Sequence, residues 1–361
     1  MMRKFSKKAI VIEPNRFHRE TLPSITYLLN QMGYFVEIYT ARKAHINNPF
    51  NGLKNLHYRK HSIEGPFFWM DKVRKFKDYD LIVWNSIEPE KWLDDAKISK
   101  IPTICTIHSA SLLHTNPLYK SFFSESHRCP FVLAHHIGSP KDDYPTEIPW
   151  LFPILPQETT KYYPTSKKLT QPIQFCTQGY LNFQRRDYAS LIEAAYTLHQ
   201  SETSKFEINI ICNSNTVDGT LMQNQLEQLK IKHLFKFHHQ TLPFGEMYEE
   251  FSQMHFILPL INWESDMHAK SYFLERGSFT FPLALQFRII PIAHRRLAAC
   301  YRWGEAILPH QFQELAQGMS EALNMTPEDY EHRQEKLDAI RTSYIDHNLS
   351  EIEAIIKKIS K

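Results

Sequence analysis

The sequence is poor in glycine and contains no glycine-rich phosphate loop. Only 10 of its 361 residues are glycine, and no Gly-x-Gly-x-x-Gly pattern follows the first predicted strand, which argues against a Rossmann-type dehydrogenase. A phosphate-binding site in this chain is therefore not expected to use a glycine-rich loop.

Cysteine patterns and a strong net charge are also missing. The five cysteines are scattered without a CxxC pair, and their odd number fits a reducing cytosol. The 42 Lys and Arg residues nearly balance the 39 Asp and Glu residues, for a net charge of +3. A charge this small does not indicate a nucleic-acid partner.

Long apolar runs are absent as well. The most apolar segments have the length of a strand, which is too short to cross a bilayer. The basic N-terminal segment has only a short apolar run before Pro14, too short for the core of a signal peptide. We therefore expect a cytoplasmic protein.

Short apolar runs alternate with helical patterns along the chain, and its 361 residues favour two domains. This alternation predicts parallel βαβ units whose strands are covered on both faces. The predicted strands of the first half span 8–14, 35–41, 80–86, 102–109 and 130–139, with a helix at 22–34. Those of the second half span 172–179, 206–213, 235–240, 255–262 and 288–294, with helices at 187–200, 219–234, 244–254 and 278–287.

Residues 149–172 break the alternation, because they contain five prolines and little periodicity. Two domains are predicted, at 1–150 and 172–345, with a linker at 151–171 and a C-terminal helix at 346–361. Doubly wound domains bind ligands at the carboxyl ends of their strands, so site residues are expected in the loops that follow the strands.

The second half carries a recognisable series of motifs. In QGYLNFQRRDYASLIEAA a strand ends in Gly179, Arg186 follows, and a helix begins with the pattern LIxA. This order resembles the opening of the nucleotide-sugar domain of glycosyltransferase-B enzymes. Farther on, YFLERGSFTFPLALQFRIIPIAH is similar to the loop, helix and strand that close the diphosphate site of these enzymes. The resemblance extends over about 172–310 in its motifs and over 8–140 in architecture only.

The resemblance implies an α/β protein of two Rossmann-like doubly wound domains that face each other across a cleft, with the acceptor bound by 1–150 and the nucleotide sugar by 172–345. It implies a glycosyltransferase that moves a sugar from a nucleoside diphosphate sugar to a glycan or a lipid-linked acceptor. The sequence is similar to the divergent bacterial enzymes that build surface polysaccharide and lipopolysaccharide. Neither a metal nor a cofactor is expected, since the nucleotide sugar is a substrate.

One motif of many retaining members is missing. The two glutamates that these enzymes carry, separated by seven residues, align with Arg276 and Ala284, so the sequence leaves both retention and inversion open. Two further interpretations remain for the same fold. One is a sugar-nucleotide epimerase, and the other is a non-catalytic partner of another transferase.

The donor site is expected where basic side chains and a helix start follow the strands. Arg185 and Arg186 can hold the diphosphate with their planar guanidinium groups, the alternative being an ordinary solvated pair. Ser278 is interpreted as the N-cap of the next helix, beside a glycine that permits close approach of the backbone. The predicted donor-binding residues are Gly179, Arg185, Arg186, Asn213 beside the base, Lys270, Tyr272, Glu275 as acceptor of ribose hydrogen bonds, Gly277 and Ser278.

An inverting enzyme also needs a base for the acceptor hydroxyl. His18 and Glu20 lie in the loop after the first strand and His108 ends another, so these three are the predicted catalytic residues. The alternative is a loop histidine and a helix-capping glutamate. His135 and His136 end a further predicted strand, but no carboxylate or cysteine lies nearby in sequence, and no metal site is predicted.

Residues 64–77 mix aromatic and basic side chains. One interpretation is contact with an anionic membrane or a lipid-linked acceptor, at the cytoplasmic face of the inner membrane. The other is a helix whose aromatic side packs in the core.

Overall fold

The chain divides into two compact units. The first consists of Met1–Lys161, Glu275–Gly277 and Ser343–Lys361, and the second of Tyr162–Leu274 and Ser278–Thr342. The structure is a computed structural model, and it describes residues 5–15, 18–41, 47–63, 76–88, 90–97, 99–139, 147–164, 167–201, 205–264 and 267–361.

The first unit is built on a parallel sheet of six strands. In chain order these are β1 (Lys7–Glu13), β2 (Tyr34–Ala41), β3 (Tyr58–Ile63), β4 (Leu81–Trp84), β5 (Thr103–Thr106) and β6 (Arg128–Phe131). Their spatial order is β3-β2-β1-β4-β5-β6, so the direction of winding reverses between β1 and β4. Ligands of such sheets bind at the carboxyl ends of the strands beside this reversal. The helices of this unit include Leu22–Gln31, Lys91–Lys97, Leu112–Thr115, Pro117–Phe123 and His135–Gly138.

The second unit has the same topology. Its strands are β7 (Ile173–Gln178), β8 (Phe206–Asn213), β9 (Phe235–His238), β10 (Phe256–Ile257), β11 (Ile290–His294) and β12 (Leu308–His310). The spatial order is β12-β11-β10-β7-β8-β9, which puts the reversal between β7 and β10. The helices are Tyr188–Gln200, Val217–Gln228, Phe244–Gln253, Met267–Leu274, Thr280–Phe287, Arg295–Tyr301 and Leu315–Leu323.

The central strands are buried on both faces, as their apolar runs predict. In β1, Ile10 and Val11 point to opposite faces of the sheet, and both are 0% exposed. The predicted C-terminal helix is the end of a longer helix, Pro327–Ile359. Its residues Ile352 and Ile355 belong to the same hydrophobic core as Val11, so the end of the chain stabilises the first unit.

Four strand predictions need correction. Strand β3 is missing from the prediction, because its residues YRKHSI are mostly polar and give no apolar run. Strand β12 is missing as well, since it has only three residues. The strand predicted at 130–139 is wrong beyond Phe131, because Val132 makes only an isolated bridge to Trp150 and the chain then forms the short helix His135–Gly138. The strand predicted at 255–262 ends at Ile257, because Pro259 has no N–H for a ladder bond and Leu260 has a φ of 54°.

None of the helices in the described ranges has both the length and the apolarity of a membrane span. The basic and aromatic stretch predicted to contact a membrane or to pack as a helix lies outside the described residues, apart from Phe76 and Lys77.

Candidate functional site

The first part of the candidate site lies in the first unit, at the carboxyl ends of β1, β4 and β5. Two of the predicted catalytic residues meet there: the rings of His18 and His108 stack with their centroids 3.6 Å apart and their planes 20° from parallel. His18 has a φ of 64°, an unusual left-handed conformation for a residue other than glycine. The third predicted residue, Glu20, has a carboxylate oxygen 3.9 Å from the Nδ1 atom of His18.

A buried hydrogen-bond network holds His18 in this conformation. The side-chain amide of Asn85 donates to the carbonyl oxygen of His18 at 2.8 Å and to Oε2 of Glu13 at 2.6 Å. The other oxygen of Glu13 accepts the backbone N–H of Asn15 at 2.8 Å. Thr21 also reaches the His18 carbonyl, with its Oγ1 at 2.7 Å. Because every group is paired, the network fixes the backbone from which the His18 ring projects.

Burial shifts the ionisable groups of this region toward their neutral forms. It raises the pKa of Glu13 well above its usual value and lowers the pKa of His18, an effect that the charge of Glu20 opposes. The pKa of His108 lies well below its usual value, chiefly through burial and then through the neighbouring His18, although a hydrogen bond to the Asn85 carbonyl opposes the shift. Both imidazoles are therefore neutral at pH 7 and can accept hydrogen bonds.

Glu88 is a site residue that the sequence-based prediction missed. Its Oε1 atom accepts the backbone N–H of His108 at 2.8 Å and that of Ser109 at 3.0 Å. Together with His18, His108 and Tyr119 it lines a cavity of about 620 Å³. Glu88 lies in the loop after β4, four residues past its last residue Trp84, so its position after a strand beside the topological reversal was the signal that could have identified it.

The segment Glu275–Gly277 belongs to the first unit, although the prediction placed it with the donor. One carboxylate oxygen of Glu275 accepts the hydroxyls of Ser109, at 2.9 Å, and of Ser111. Its backbone carbonyl accepts the N–H of Ala110 at 3.3 Å. A Cβ atom at Gly277 would have its nearest contact at 3.4 Å, so steric need for glycine is absent there. A ribose contact of Glu275 stays a prediction, and the structure shows its carboxylate anchoring this segment.

The second part of the candidate site lies in the second unit, after β7. Gly179 has a φ of 122°, and a Cβ atom there would lie 2.6 Å from Nη2 of Arg186. Glycine is therefore required for Arg186 to fold back over the loop and donate to the carbonyl of Pro259. Arg185 is exposed, and its guanidinium carbon lies 5.9 Å from the ring centre of Tyr180. The two predicted phosphate ligands thus differ, because Arg186 is anchored and Arg185 faces solvent.

Asp187, which the prediction overlooked, ties the loop after β7 to the segment after β10. Its carboxylate accepts the N–H of Ser190 at 3.0 Å, which caps the helix Tyr188–Gln200, and it also accepts the side-chain amide of Asn262. Its backbone N–H donates to the carbonyl oxygen of Leu260 at 2.9 Å. These bonds join the loops at the topological reversal of this sheet.

The prediction also overlooked the pair formed by Glu264 and His294. The Nε2 atom of His294, at the end of β11, lies 3.1 Å from Oε2 of Glu264, and its Nδ1 atom accepts the N–H of Arg296 at 3.3 Å. Burial lowers the pKa of His294, and the carboxylate of Glu264 opposes that shift. Lys270 and Arg296 lie nearby, with their charges 5.9 Å and 5.1 Å from the ring centre of Trp263.

The remaining predicted donor residues have ordinary structural contacts. Asn213 accepts the N–H of Asn215 at 2.9 Å, which is the contact of a turn. Tyr272 is half-buried in the helix Met267–Leu274. The prediction of Ser278 as an N-cap is wrong, because the helix begins one residue later with Phe279 at the cap and no side-chain bond there. Ser278 is buried, and its N–H donates to the Tyr301 hydroxyl at 3.0 Å.

His135 and His136 also differ from the prediction. They lie in the short helix His135–Gly138 and not at a strand end. Among the residues that the structure describes, no group of three His, Cys, Asp or Glu side chains is arranged to hold a metal ion.

Neither family models nor curated proteins match this sequence, but solved structures match it over nearly its whole length. A glycosyltransferase from Rickettsia africae ESF-5 superposes with a TM-score of 0.67 at 12% identity, over 98% of this chain and 99% of that one. HepE of Anabaena, in complex with UDP and glucose, gives a TM-score of 0.63 at 12% identity, over 96% and 99%. WaaG, a glycosyltransferase involved in lipopolysaccharide biosynthesis, superposes with a TM-score of 0.56 at 11% identity, over 97% of this chain and 99% of that one.

At these low identities the likeness is one of fold. It agrees with the two doubly wound sheets and with the resemblance found in the motifs of the second half. The chain therefore has the two-domain α/β fold of the glycosyltransferase-B enzymes.

Proposed function

We propose that the protein is a glycosyltransferase that moves a sugar from a nucleoside diphosphate sugar to a hydroxyl group of a glycan or lipid-linked acceptor. The observation that carries this proposal is the likeness in fold, over 98% of the chain, to a glycosyltransferase. HepE, which has the same fold, is in complex with UDP and glucose, and this supports a nucleotide sugar as the donor.

The second unit is proposed to bind the donor. The segments after β7 and β10 present cations: Arg185 is exposed, Arg186 is held over Gly179, and Lys270 lies in the helix Met267–Leu274. Positive charge at this edge of the sheet favours a diphosphate and stabilises it as it leaves with the bonding electrons. In this proposal the cations replace a bound metal.

The first unit is proposed to bind the acceptor. Its cavity is lined by neutral imidazoles and by the carboxylates of Glu88 and Glu90, a set of hydrogen-bond acceptors that suits the hydroxyl groups of a sugar. A role in bacterial surface polysaccharide or lipopolysaccharide synthesis is part of the proposal, supported by the likeness to WaaG. A lipid-linked acceptor would bring the protein to the cytoplasmic face of the inner membrane.

The proposal is tested by incubating the protein with UDP, GDP and ADP sugars and measuring binding, hydrolysis and transfer to alkyl glycosides. We expect one nucleoside diphosphate to raise the melting temperature at millimolar concentration and the corresponding sugar nucleotide to be consumed. Isomerised donor without transfer would identify an epimerase. No thermal shift with any of these nucleotides would contradict the proposal.

A further inference from the structure

Glu88 is held by one carboxylate oxygen, and the other has no partner in the part of the chain that the structure describes. The backbone N–H groups of His108 and Ser109 both donate to its Oε1 atom, at 2.8 and 3.0 Å, and its own carbonyl accepts from the side chain of Asn15 at 2.7 Å. The Oε2 atom makes no hydrogen bond or ion pair with the residues that the structure describes. Two anchoring bonds on one oxygen orient the carboxylate without occupying its second oxygen.

Glu20 does not line this cavity, and the other carboxylates near it are occupied or exposed. Both oxygens of Glu13 are hydrogen-bonded, and the side chain is 0% exposed. The carboxylate of Glu275 binds two serine hydroxyls. Glu90 is exposed and binds the side-chain amide of Asn116. Among the carboxylates named here, only Glu88 combines partial burial, a fixed orientation, an oxygen with no partner among the described residues and a place in the cavity wall.

We infer that Glu88 is the general base that takes the proton from the acceptor hydroxyl. This inference rests on the proposed function. As Oε2 of Glu88 takes the proton, the acceptor oxygen forms a bond to the anomeric carbon of the donor sugar. The bond between that carbon and the diphosphate oxygen breaks, and the nucleoside diphosphate leaves with its electron pair. The proton then passes from Glu88 to water. A single displacement of this kind inverts the anomeric configuration.

Electrostatics around the cavity support this role. Burial raises the pKa of Glu88, an effect that the two backbone hydrogen bonds and the charge of Arg276 oppose and that the charge of Glu275 reinforces. A carboxylate with a raised pKa is a stronger base than an exposed one. Burial has the opposite effect on His18 and His108, whose lowered pKa values make them weaker bases. Glu90 and Lys91 also line the cavity.

The test compares Glu88→Gln with Glu88→Asp, and with Glu158→Gln as a control that removes one exposed carboxylate of the same unit. Glutamine keeps an oxygen to accept the two backbone N–H groups, so folding and binding of the nucleoside diphosphate should be unchanged. We expect Glu88→Gln to lower kcat by about 10²–10³-fold, Glu88→Asp to lower it less, and Glu158→Gln to leave it within about twofold.

Two further readouts separate catalysis from structure. The kcat of the wild-type protein should fall as pH drops and Glu88 becomes protonated, and the residual activity of Glu88→Gln should lack this acid limb. The product, followed by NMR, should have inverted configuration. Retained configuration, or a Glu88→Gln variant with more than half of wild-type kcat, would overturn the inference and leave the proposed function intact. A wild-type protein that neither binds nucleoside diphosphates nor consumes their sugars would contradict both.

Discussion

The two units share one topology but place different chemistry at the carboxyl ends of their strands. In the first unit, burial drives Glu13, His18 and His108 toward their neutral forms. In the second unit, Arg185 is exposed beside the sheet edge and Arg186 is anchored by a backbone carbonyl. A region of neutral acids and bases suits proton transfer and hydroxyl groups, whereas permanent cations suit a diphosphate. The proposed function therefore assigns two tasks to the same fold, and they differ through the residues that follow its strands.

The network around Asn85 is where the first unit should be most sensitive. Asn85→Ala removes both amide donors and leaves the buried Glu13 carboxyl short of a partner. We expect the free energy of unfolding to fall by about 2–3 kcal/mol, measured by urea denaturation. Asn215→Ala, at an exposed position, is the control and should change it by less than about 0.5 kcal/mol. Equal effects of the two substitutions would show that the network does not stabilise the site.

Gly179 is the corresponding sensitive position of the second unit. Gly179→Ala places a Cβ atom 2.6 Å from the Arg186 guanidinium at a φ of 122°. We expect a loss of about 2 kcal/mol in stability and weaker binding of the nucleoside diphosphate. Gly33 of the first unit, with a φ of 83° and nothing within 4 Å, is the matched control. Gly33→Ala should cost about 1 kcal/mol and leave nucleotide affinity unchanged, and a loss of affinity there would contradict the division between units.

Removal of the exposed cation tests the donor side by affinity alone. Arg185→Ala should weaken binding of the nucleoside diphosphate about tenfold, the loss of one charged hydrogen bond, without a change in melting temperature of the free protein. Lys205→Ala removes an exposed charge that directly precedes β8 and should have no effect on affinity. Calorimetric titration of both variants decides the outcome, and equal affinities would remove Arg185 from the site.

The smallest expected effect concerns acid sensitivity. An unfolded histidine takes up a proton near pH 6.5, whereas the folded His108 and His294 do so only at lower pH. Stability is therefore lost as pH falls below about 6.5. His108→Gln should reduce this loss more than His294→Gln, because the pKa of His108 is lowered further and Glu264 opposes the shift of His294. Urea denaturation at pH 7.5 and 5.5 measures how much free energy of unfolding each variant loses between the two pH values. If His294→Gln reduced this loss more than His108→Gln, the prediction would be contradicted.

Position along the chain made part of this site predictable. Apolar runs marked most strands, and the rule that ligands bind at strand ends pointed to His18, His108 and Gly179 from the amino-acid sequence alone. Glu13 escaped notice because it closes a buried strand, where a carboxylate is unexpected. Glu88 escaped because a glutamate after a strand resembles any solvated loop residue until its burial and its two backbone donors are known.

Other parts depend on contacts between distant segments. No local pattern shows that Glu275 anchors a segment to the first unit through Ser109 and Ser111, 166 and 164 residues away. The N-cap predicted at Ser278 is wrong because the helix begins one residue later, and the backbone N–H of Ser278 donates to the hydroxyl of Tyr301, 23 residues away in sequence. Pairing between segments far apart in sequence decides which polar groups remain available to a ligand.

The central claim is that the second unit binds the nucleoside diphosphate and the first unit does not. Hydrogen exchange of the wild-type protein with and without UDP, GDP and ADP tests it directly. The nucleotide that raises the melting temperature should slow exchange in the loops at 179–187 and 258–264. Protection confined to the loops after β1, β4 and β5, or no protection in either unit, would contradict the account.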